Sequence, residues 1–406
     1  MNKSLLPLTL GGLGIGITEF VMMGLLPDIA KDLHVSIPEA GHLISAYALG
    51  VVIGAPVLVA IAGKYPPKHI LIALMAMFTV FNACSAFAPN FTVLFMTRLL
   101  SGLPHGAFFG VGSVVASKIA VKGKEAQAVS LMFLGLTIAN IAGVPLGTYI
   151  GHHFSWRFSF AIVVAVGLIT LFSLKAFLPA LAANAERNLK GELSFFKKTE
   201  AWLIIFMISI GTGGLFCWYS YIAPLMTNVA GFSEDAVTYV LILAGVGMMV
   251  GNLLGGFLAD RFSAGKASAA LLIAMAATLV VVHFLSFNPI TALVMTFITG
   301  AVAFALAAPI QMLMINTAKG AEMIAASVSQ ASFNIGNALG AFLGGLPLVY
   351  HFDYTWPAIV GAAMAFAGAL FAFAFNSRKK DVIEITEIKQ SKEAPLLNEN
   401  VSCDCI

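Results

Sequence analysis

Twelve stretches of mostly apolar residues run along the chain, each about twenty residues or longer and so able to cross a bilayer as a helix. They cover residues 5–30, 41–63, 69–88, 92–117, 127–151, 157–179, 201–226, 236–259, 266–286, 289–313, 322–350 and 354–376. Polar residues gather in the connections, most of them short, as in a bundle of neighbouring helices. Two polar stretches are longer: 180–200, with Glu186, Arg187, Lys190, Lys197 and Lys198, and the tail from Arg378 onward. The pattern predicts an all-α polytopic membrane protein with four parts. Residues 1–180 form a six-helix unit, 181–200 a loop, 201–376 a second six-helix unit, and 377–406 a polar tail expected to be disordered.

Composition agrees. The 406 residues are 59% hydrophobic and 10% charged, against about 25% charged in soluble domains. The net charge of +3 is small, and no basic tract suits nucleic acid, so none is expected as a partner. Cys84 and Cys217 lie in apolar segments, Cys403 and Cys405 in the tail; they form neither a disulfide framework nor a metal set. No small-residue cleavage site follows Lys3, so the first apolar stretch is expected to stay as a span. Placing the N-terminus inside puts Lys3, Lys64, Lys68, Lys118, Lys122, Lys124, Arg187, Lys190, Lys197, Lys198, Arg261, Lys266, Lys319 and Arg378–Lys380 in the cytoplasm. Only Lys31 and Arg157 then fall outside, which predicts that both termini are cytoplasmic.

The halves repeat at an offset of 197 residues. Gly14, Gly16 and Pro27 fall on Gly211, Gly213 and Pro224, and Gly50 and Gly54 on Gly247 and Gly251. Asn140, Gly143 and Gly147 fall on Asn337, Gly340 and Gly344. Recurrent small residues and one recurrent amide describe a six-helix unit built twice. Parallel repeats of this kind describe a secondary transporter with its site between the halves. The intramembrane charges do not recur: Glu19 falls on Phe216 and Arg98 on Met295. A carboxylate in hydrocarbon costs on the order of 2.5–3.5 kcal/mol, so its presence in one half alone favours a function over an architectural role.

Four motifs carry a family resemblance. "TEFVMMGLLPDIAKDLHVSIPEAGHLISAYALGVVIGAP" (18–56) resembles the opening of the twelve-span drug:proton antiporter branch of the major facilitator superfamily. "RLLSGLPHGAFFGVG" (98–112) resembles that family's fourth-helix motif, which begins with a buried arginine. "GLTIANIAGVPLGTYIG" (135–151), with Gly135, Gly143, Pro145 and Gly147, resembles its fifth-helix antiporter motif, and "SWRFSF" (155–160) its entry to the sixth helix. The match is nearest to arabinose-efflux-permease-like members. It implies two pseudo-symmetric six-helix bundles, the major facilitator fold, and efflux without a cofactor beyond the proton gradient. It also implies a conformational latch after the second helix. The second copy is complete, with Asp260 and Arg261 in "GFLADRFSAGK". In the first, "VAIAGKYPPKHI", Gly63 replaces the aspartate, leaving Lys64 and Lys68.

At about 1.5 Å rise per residue, Glu19 lies roughly 16 Å and Arg98 roughly 10 Å from the outer ends of their helices, at compatible depths. Asn140 reaches a similar level. A buried carboxylate is driven to the neutral form by desolvation and to the charged form by a nearby arginine. Glu19 is therefore expected to carry a proton and Arg98, always charged, to modulate it. A static Glu19–Arg98 bridge is the competing reading. His105 shares a helix face with Arg98 and suits either proton relay or a bond to a backbone carbonyl.

Gln330, Asn334 and Asn337 make one polar face and are expected to line the substrate cavity, with Gln311, Tyr47, Asn140, Trp218 and Tyr221 as further candidates. Asp28 and Glu39 are expected in solvent at the outer edge, and His152 and His153 at the interface. The expected partners are a small, neutral or weakly amphipathic molecule, protons and the bilayer. The chain is expected to act as a monomer in the plasma membrane (the inner membrane of a bacterium). A sugar or metabolite efflux facilitator without proton coupling and a transporter-like receptor are the alternatives. No motif of an intramembrane enzyme is present.

Overall fold

A backbone in hydrocarbon has no water to bond, so each apolar stretch closes its hydrogen bonds on itself as a helix. The computed structural model of the protein describes residues 3–35, 37–183 and 189–398, with 379–398 described by backbone alone. Glu186, Arg187, Cys403 and Cys405 lie outside the described residues.

The twelve helices are α1 (Leu6–Leu33), α2 (Ile37–Ala62), α3 (Pro67–Ala86), α4 (Phe91–Ile119), α5 (Glu125–His153) and α6 (Trp156–Phe177). The second half contributes α7 (Thr199–Tyr219), α8 (Glu234–Phe262), α9 (Ala264–Leu285), α10 (Pro289–Thr317), α11 (Glu322–Val349) and α12 (Trp356–Asn398). Among the described residues, twelve helices are long and apolar enough to span a membrane. An even number of spans puts α1's start and α12's end on one face, called the terminal face below. Side-chain caps begin several helices: Asn90 accepts from Val93 N–H, Ser155 from Arg157 N–H, and Asn288 from Ile290 N–H.

Helices α1–α6 pack on one another, as do α7–α12. The repeated glycines sit at matched contacts. A Cβ at Gly50 would lie 2.1 Å from the Leu99 carbonyl oxygen where α2 crosses α4, and one at Gly247 would lie 2.2 Å from that of Phe297 where α8 crosses α10. Gly143 and Gly147 press α5 on Ile17 and Val21 of α1, while Gly340 and Gly344 press α11 on Gly213 and Cys217 of α7. Gly135 approaches the Thr9 carbonyl oxygen equally closely. Large apolar side chains such as Phe172 and Phe342 point outward, as a lipid-facing surface requires.

Among the described residues, three helices are broken, all beside the space between the halves. In α5 a π-helical turn spans Ala139–Gly143, because Pro145 has no N–H for the Ile141 carbonyl. In α10 the chain breaks at Leu306, since Pro309 cannot bond Ala305. In α7 the break falls at Thr212 between glycines, with its hydroxyl donating to the Ile208 carbonyl. The seventh span also ends at Tyr219 rather than continuing to 226, because Pro224 cannot donate to the Ser220 carbonyl.

Helix α12 runs on to Asn398, past Pro395, into the tail expected to be disordered.

Candidate functional site

Between the halves lies a narrow cavity, with about 50 Å³ of space for the centre of a water molecule. Its N-terminal wall is Glu19 and Phe20 from α1, His105 and Phe109 from α4, and Phe133, Leu136 and Asn140 from α5. Facing them are Thr212, Leu215, Phe216 and Tyr219 of α7, Met248 of α8, and Phe304, Leu306, Ile310 and Gln311 of α10. Helix α11 adds Ser329, Gln330, Phe333 and Asn334. A mostly apolar wall, rich in phenylalanine and with a few polar groups, is the usual make-up of a small-molecule site.

Of the expected cavity residues, Asn140, Gln311, Gln330 and Asn334 line it. They are mutually tied or held by backbone. Gln330 Nε2 donates to Gln311 Oε1 at 2.9 Å, Gln311 Nε2 to the Ala326 carbonyl at 3.2 Å, and Asn334 Nδ2 to the Gln330 carbonyl at 3.1 Å. Asn140 sits in the π-helical turn and donates to the Leu136 carbonyl at 3.1 Å.

The other four lie elsewhere. Residues 212, 215, 216 and 219 present one face of α7 to the cavity, so Trp218 points into the bundle and Tyr219 takes the expected place. Tyr221 donates to the Ala341 carbonyl at 2.8 Å and ties α7 to α11. Asn337 lies two turns beyond Gln330, past the wall, so the repeat of Asn140 does not recreate its position. Tyr47 is buried behind the cavity, with its hydroxyl 3.0 Å from His105 Nδ1.

Glu19 points into the cavity, half-buried. Arg98 does not line it and is fully buried. Its Nη1 donates to the carbonyl and hydroxyl oxygens of Thr18, both at 3.1 Å, and its guanidinium lies 4.3 Å from the centre of the Tyr47 ring. Nε and Nη2 have no partner. The static Glu19–Arg98 bridge is thus absent among the described residues. His105 bonds Tyr47 and not the backbone carbonyl its alternative reading expected.

The latch residues separate. Asp260 crosses between the halves, accepting from the Ala126 and Gln127 N–H groups at 2.9 and 3.0 Å. This places a carboxylate on the first turn of α5, where the helix dipole favours it. Arg261 is exposed beside Phe257 and Phe262, and Lys64 lies near the Tyr65 ring. Lys68 stays within its own half, donating to the Lys175 and Leu178 carbonyls at the end of α6.

Sequence reasoning passed over further contacts between the halves. Asn252 Nδ2 donates to the Ser130 carbonyl at 2.7 Å, and Gly110 leaves room for Ser327. With Asp260, these close the terminal side of the cavity. Thr18 and Asn82 were also missed as partners of the Arg98 network. Asn82 and Asn252 were detectable as lone amides in apolar spans.

On the opposite face, Asp28 lies 2.5 Å from His152 Nδ1, where solvation alone was expected. Asp32 accepts from Arg157 at 2.5 Å and from Trp156 Nε1 at 3.0 Å, and these bonds hold its carboxyl below the usual carboxylate range.

Comparison with known proteins follows the same lines. The family model of the Major Facilitator Superfamily matches residues 8–327. The chain is 41% identical over 380 residues to the inner membrane transport protein YdhP of Escherichia coli K12, covering 94% of this chain and 97% of that protein. It is 29% identical over 372 residues to a chloramphenicol resistance protein of Streptomyces lividans, covering 89% and 93%. In structure it is similar to the Escherichia coli fucose:proton symporter FucP, with a TM-score of 0.71 at 15% identity over 91% of this chain and 98% of that one.

Proposed function

Because the chain belongs to the Major Facilitator Superfamily, and is therefore a membrane transporter and no enzyme, we propose that it exports small organic molecules in exchange for protons. Supporting this reading above all is Glu19, the one carboxyl group in the cavity wall among the described residues. Glu19 is the proton carrier. Arg98, which stays charged, tunes it from one residue away along α1. Tyr47 links Arg98's surroundings to the cavity, with its ring beneath the guanidinium and its hydroxyl bonded to His105.

The substrate is weakly amphipathic. Phe20, Phe109, Phe133, Phe216, Phe304 and Phe333 favour an apolar or aromatic body, while Gln311, Gln330 and Asn334 meet a few polar groups. Similarity to a chloramphenicol resistance protein supports a drug-like compound over a sugar. Rocking of the halves about the cavity exposes it to one side and then the other. The terminal face is cytoplasmic, by the distribution of lysine and arginine. The protein works as a monomer in the plasma membrane, the inner membrane of a bacterium, and takes its energy from the proton gradient with no bound cofactor.

The test uses the full chain in liposomes, with an imposed pH gradient, radiolabelled chloramphenicol and a panel of labelled sugars. Gradient-driven accumulation of chloramphenicol is expected, and Glu19→Gln abolishes it while sparing exchange. Accumulation by the glutamine form would refute the proton role. Flux indifferent to the gradient would identify a facilitator, and binding without flux a receptor.

A further inference from the structure

A buried guanidinium with two unpartnered nitrogens, one residue along α1 from a carboxyl group it does not touch, calls for a restraint. The structure contains one. Asn82 of α3 donates through Nδ2 to the Phe78 carbonyl at 2.8 Å, which turns its Oδ1 toward α1. Thr18 spends its single hydroxyl proton on that oxygen, at 2.6 Å. The Thr18 oxygen is left as an acceptor, and Arg98 Nη1 fills it. Every bond in the series has one possible direction, from Arg98 to Thr18 to Asn82. Arg98, Thr18 and Asn82 are all fully buried, so no water competes for these bonds.

Thr18 and Glu19 are adjacent on a helix and point about 100° apart. A guanidinium anchored on Thr18 therefore lies against the flank of α1 that faces α3 and α4, while Glu19 opens on the cavity. We propose that Thr18 and Asn82 are positioning residues that hold Arg98 off Glu19 in this conformation, so that releasing the Thr18 anchor delivers the guanidinium to the carboxylate. This rests on the proton-carrier reading of Glu19 and specifies how the protein sets the strength of the Arg98 influence. The free Nε and Nη2 groups are the ones that Glu19 would receive.

The other titratable or charged groups near Glu19 do not substitute for Arg98. On α4 there is His105, bonded to Tyr47 of α2 through Nδ1, and on α7 there is Tyr219 across the cavity. Helices α5, α8, α10 and α11 present no titratable side chain to the cavity among the described residues. The buried faces of α3 and α6 at this depth carry Asn82, Ser159 and Phe160. Arg98 is the permanent cation in this group, so its distance governs how readily Glu19 gives up its proton.

Carbodiimides add to protonated carboxyl groups in apolar surroundings, which gives a readout independent of the transported molecule. The full-length protein in liposomes is treated with dicyclohexylcarbodiimide across a pH series, and labelling of the Glu19 peptide is read by mass spectrometry. Thr18→Val keeps the branched shape but removes the hydroxyl acceptor, leaving the Thr18 carbonyl as the one remaining partner of Nη1, and Asn82→Leu removes the anchor beneath the hydroxyl. With this anchorage weakened, Arg98 approaches Glu19 more readily, and the pH of half-labelling falls by about one unit in both variants. Thr18→Ser restores the hydroxyl and follows the parent. If either valine or leucine variant folds and labels along the parent curve, the positioning role is overturned while proton loading at Glu19 stands. If labelling of the parent does not change with pH, Glu19 is not a proton carrier and both readings fall.

Discussion

Asp260, at the end of α8, caps the first turn of α5 by accepting the Ala126 N–H across the interface between the halves. The offset of 197 residues gives this contact a counterpart, and there the carboxylate is replaced by Gly63. The terminal side is therefore closed by a charged cap on one flank only. On the other, α4 and α11 meet by close fit of Gly110 against Ser327. The two flanks should respond to different substitutions.

Asp260→Asn keeps the shape of the cap but removes its charge and one of its two accepting oxygens. A carboxylate at a helix N-terminus contributes on the order of 1 kcal/mol, so terminal-side opening should rise roughly fivefold. Hydrogen exchange of the Ala126 and Gln127 amides measures this directly, and unchanged protection would show that the cap is incidental.

Gly110 has no such tolerance. A Cβ there would lie 2.1 Å from Ser327 Oγ and 2.7 Å from its Cα. Gly110→Val should keep the terminal side from closing and stop transport, with spin labels on α4 and α11 reporting a wider separation. Gly110→Ala combined with Ser327→Gly should recover part of the activity lost in Gly110→Ala, because the hydroxyl conflict disappears while the backbone conflict remains.

The Gln311–Gln330 pair is best read as a unit. Gln330→Leu leaves a buried Gln311 oxygen without its donor, at a cost of about 1–3 kcal/mol. Replacing both glutamines by leucine should cost less than the sum of the single changes. Thermal unfolding of the four proteins in detergent closes the cycle, and strict additivity would mean that the bond contributes nothing.

The Asp32–Arg157 ion pair, on the face opposite the termini, predicts a pH dependence. Asp32 is held below the usual carboxylate range chiefly by the hydrogen bond from Arg157, with Trp156 assisting. The unfolded chain then binds the proton more readily than the folded one. The contribution is fully present above the ordinary carboxylate value near pH 4 and is lost as pH falls through the lower folded value. Asp32→Asn should flatten that acid limb of thermal stability and leave the neutral plateau slightly lower. An unchanged acid limb would assign the pH dependence to other carboxyl groups.

Twelve spans, the doubled six-helix unit and the singular place of Glu19 were legible in the residues. Hydrophobic length is a property of local sequence, since any apolar run in lipid must satisfy its own backbone. The repeated glycines were legible for a related reason: close crossing of two helices demands a missing side chain at one position on one of them. Of the residues expected in the cavity wall, Asn140, Gln311, Gln330 and Asn334 border it, while Trp218 and Tyr221 differ in helical phase, Asn337 in depth and Tyr47 in layer.

By itself the sequence determined that this chain crosses a membrane in two related halves and carries one acid where the wall between them would be. Only the tertiary structure decided that Arg98 is held by Thr18 rather than by Glu19, that His105 is bonded to Tyr47, and that Asp260 and not Lys68 joins the halves. Spans follow from the free energy of each residue in hydrocarbon, which adds along the chain. Partners follow from distances of about 3 Å between distant segments, and one residue of rotation, about 100° on a helix, is enough to exchange them.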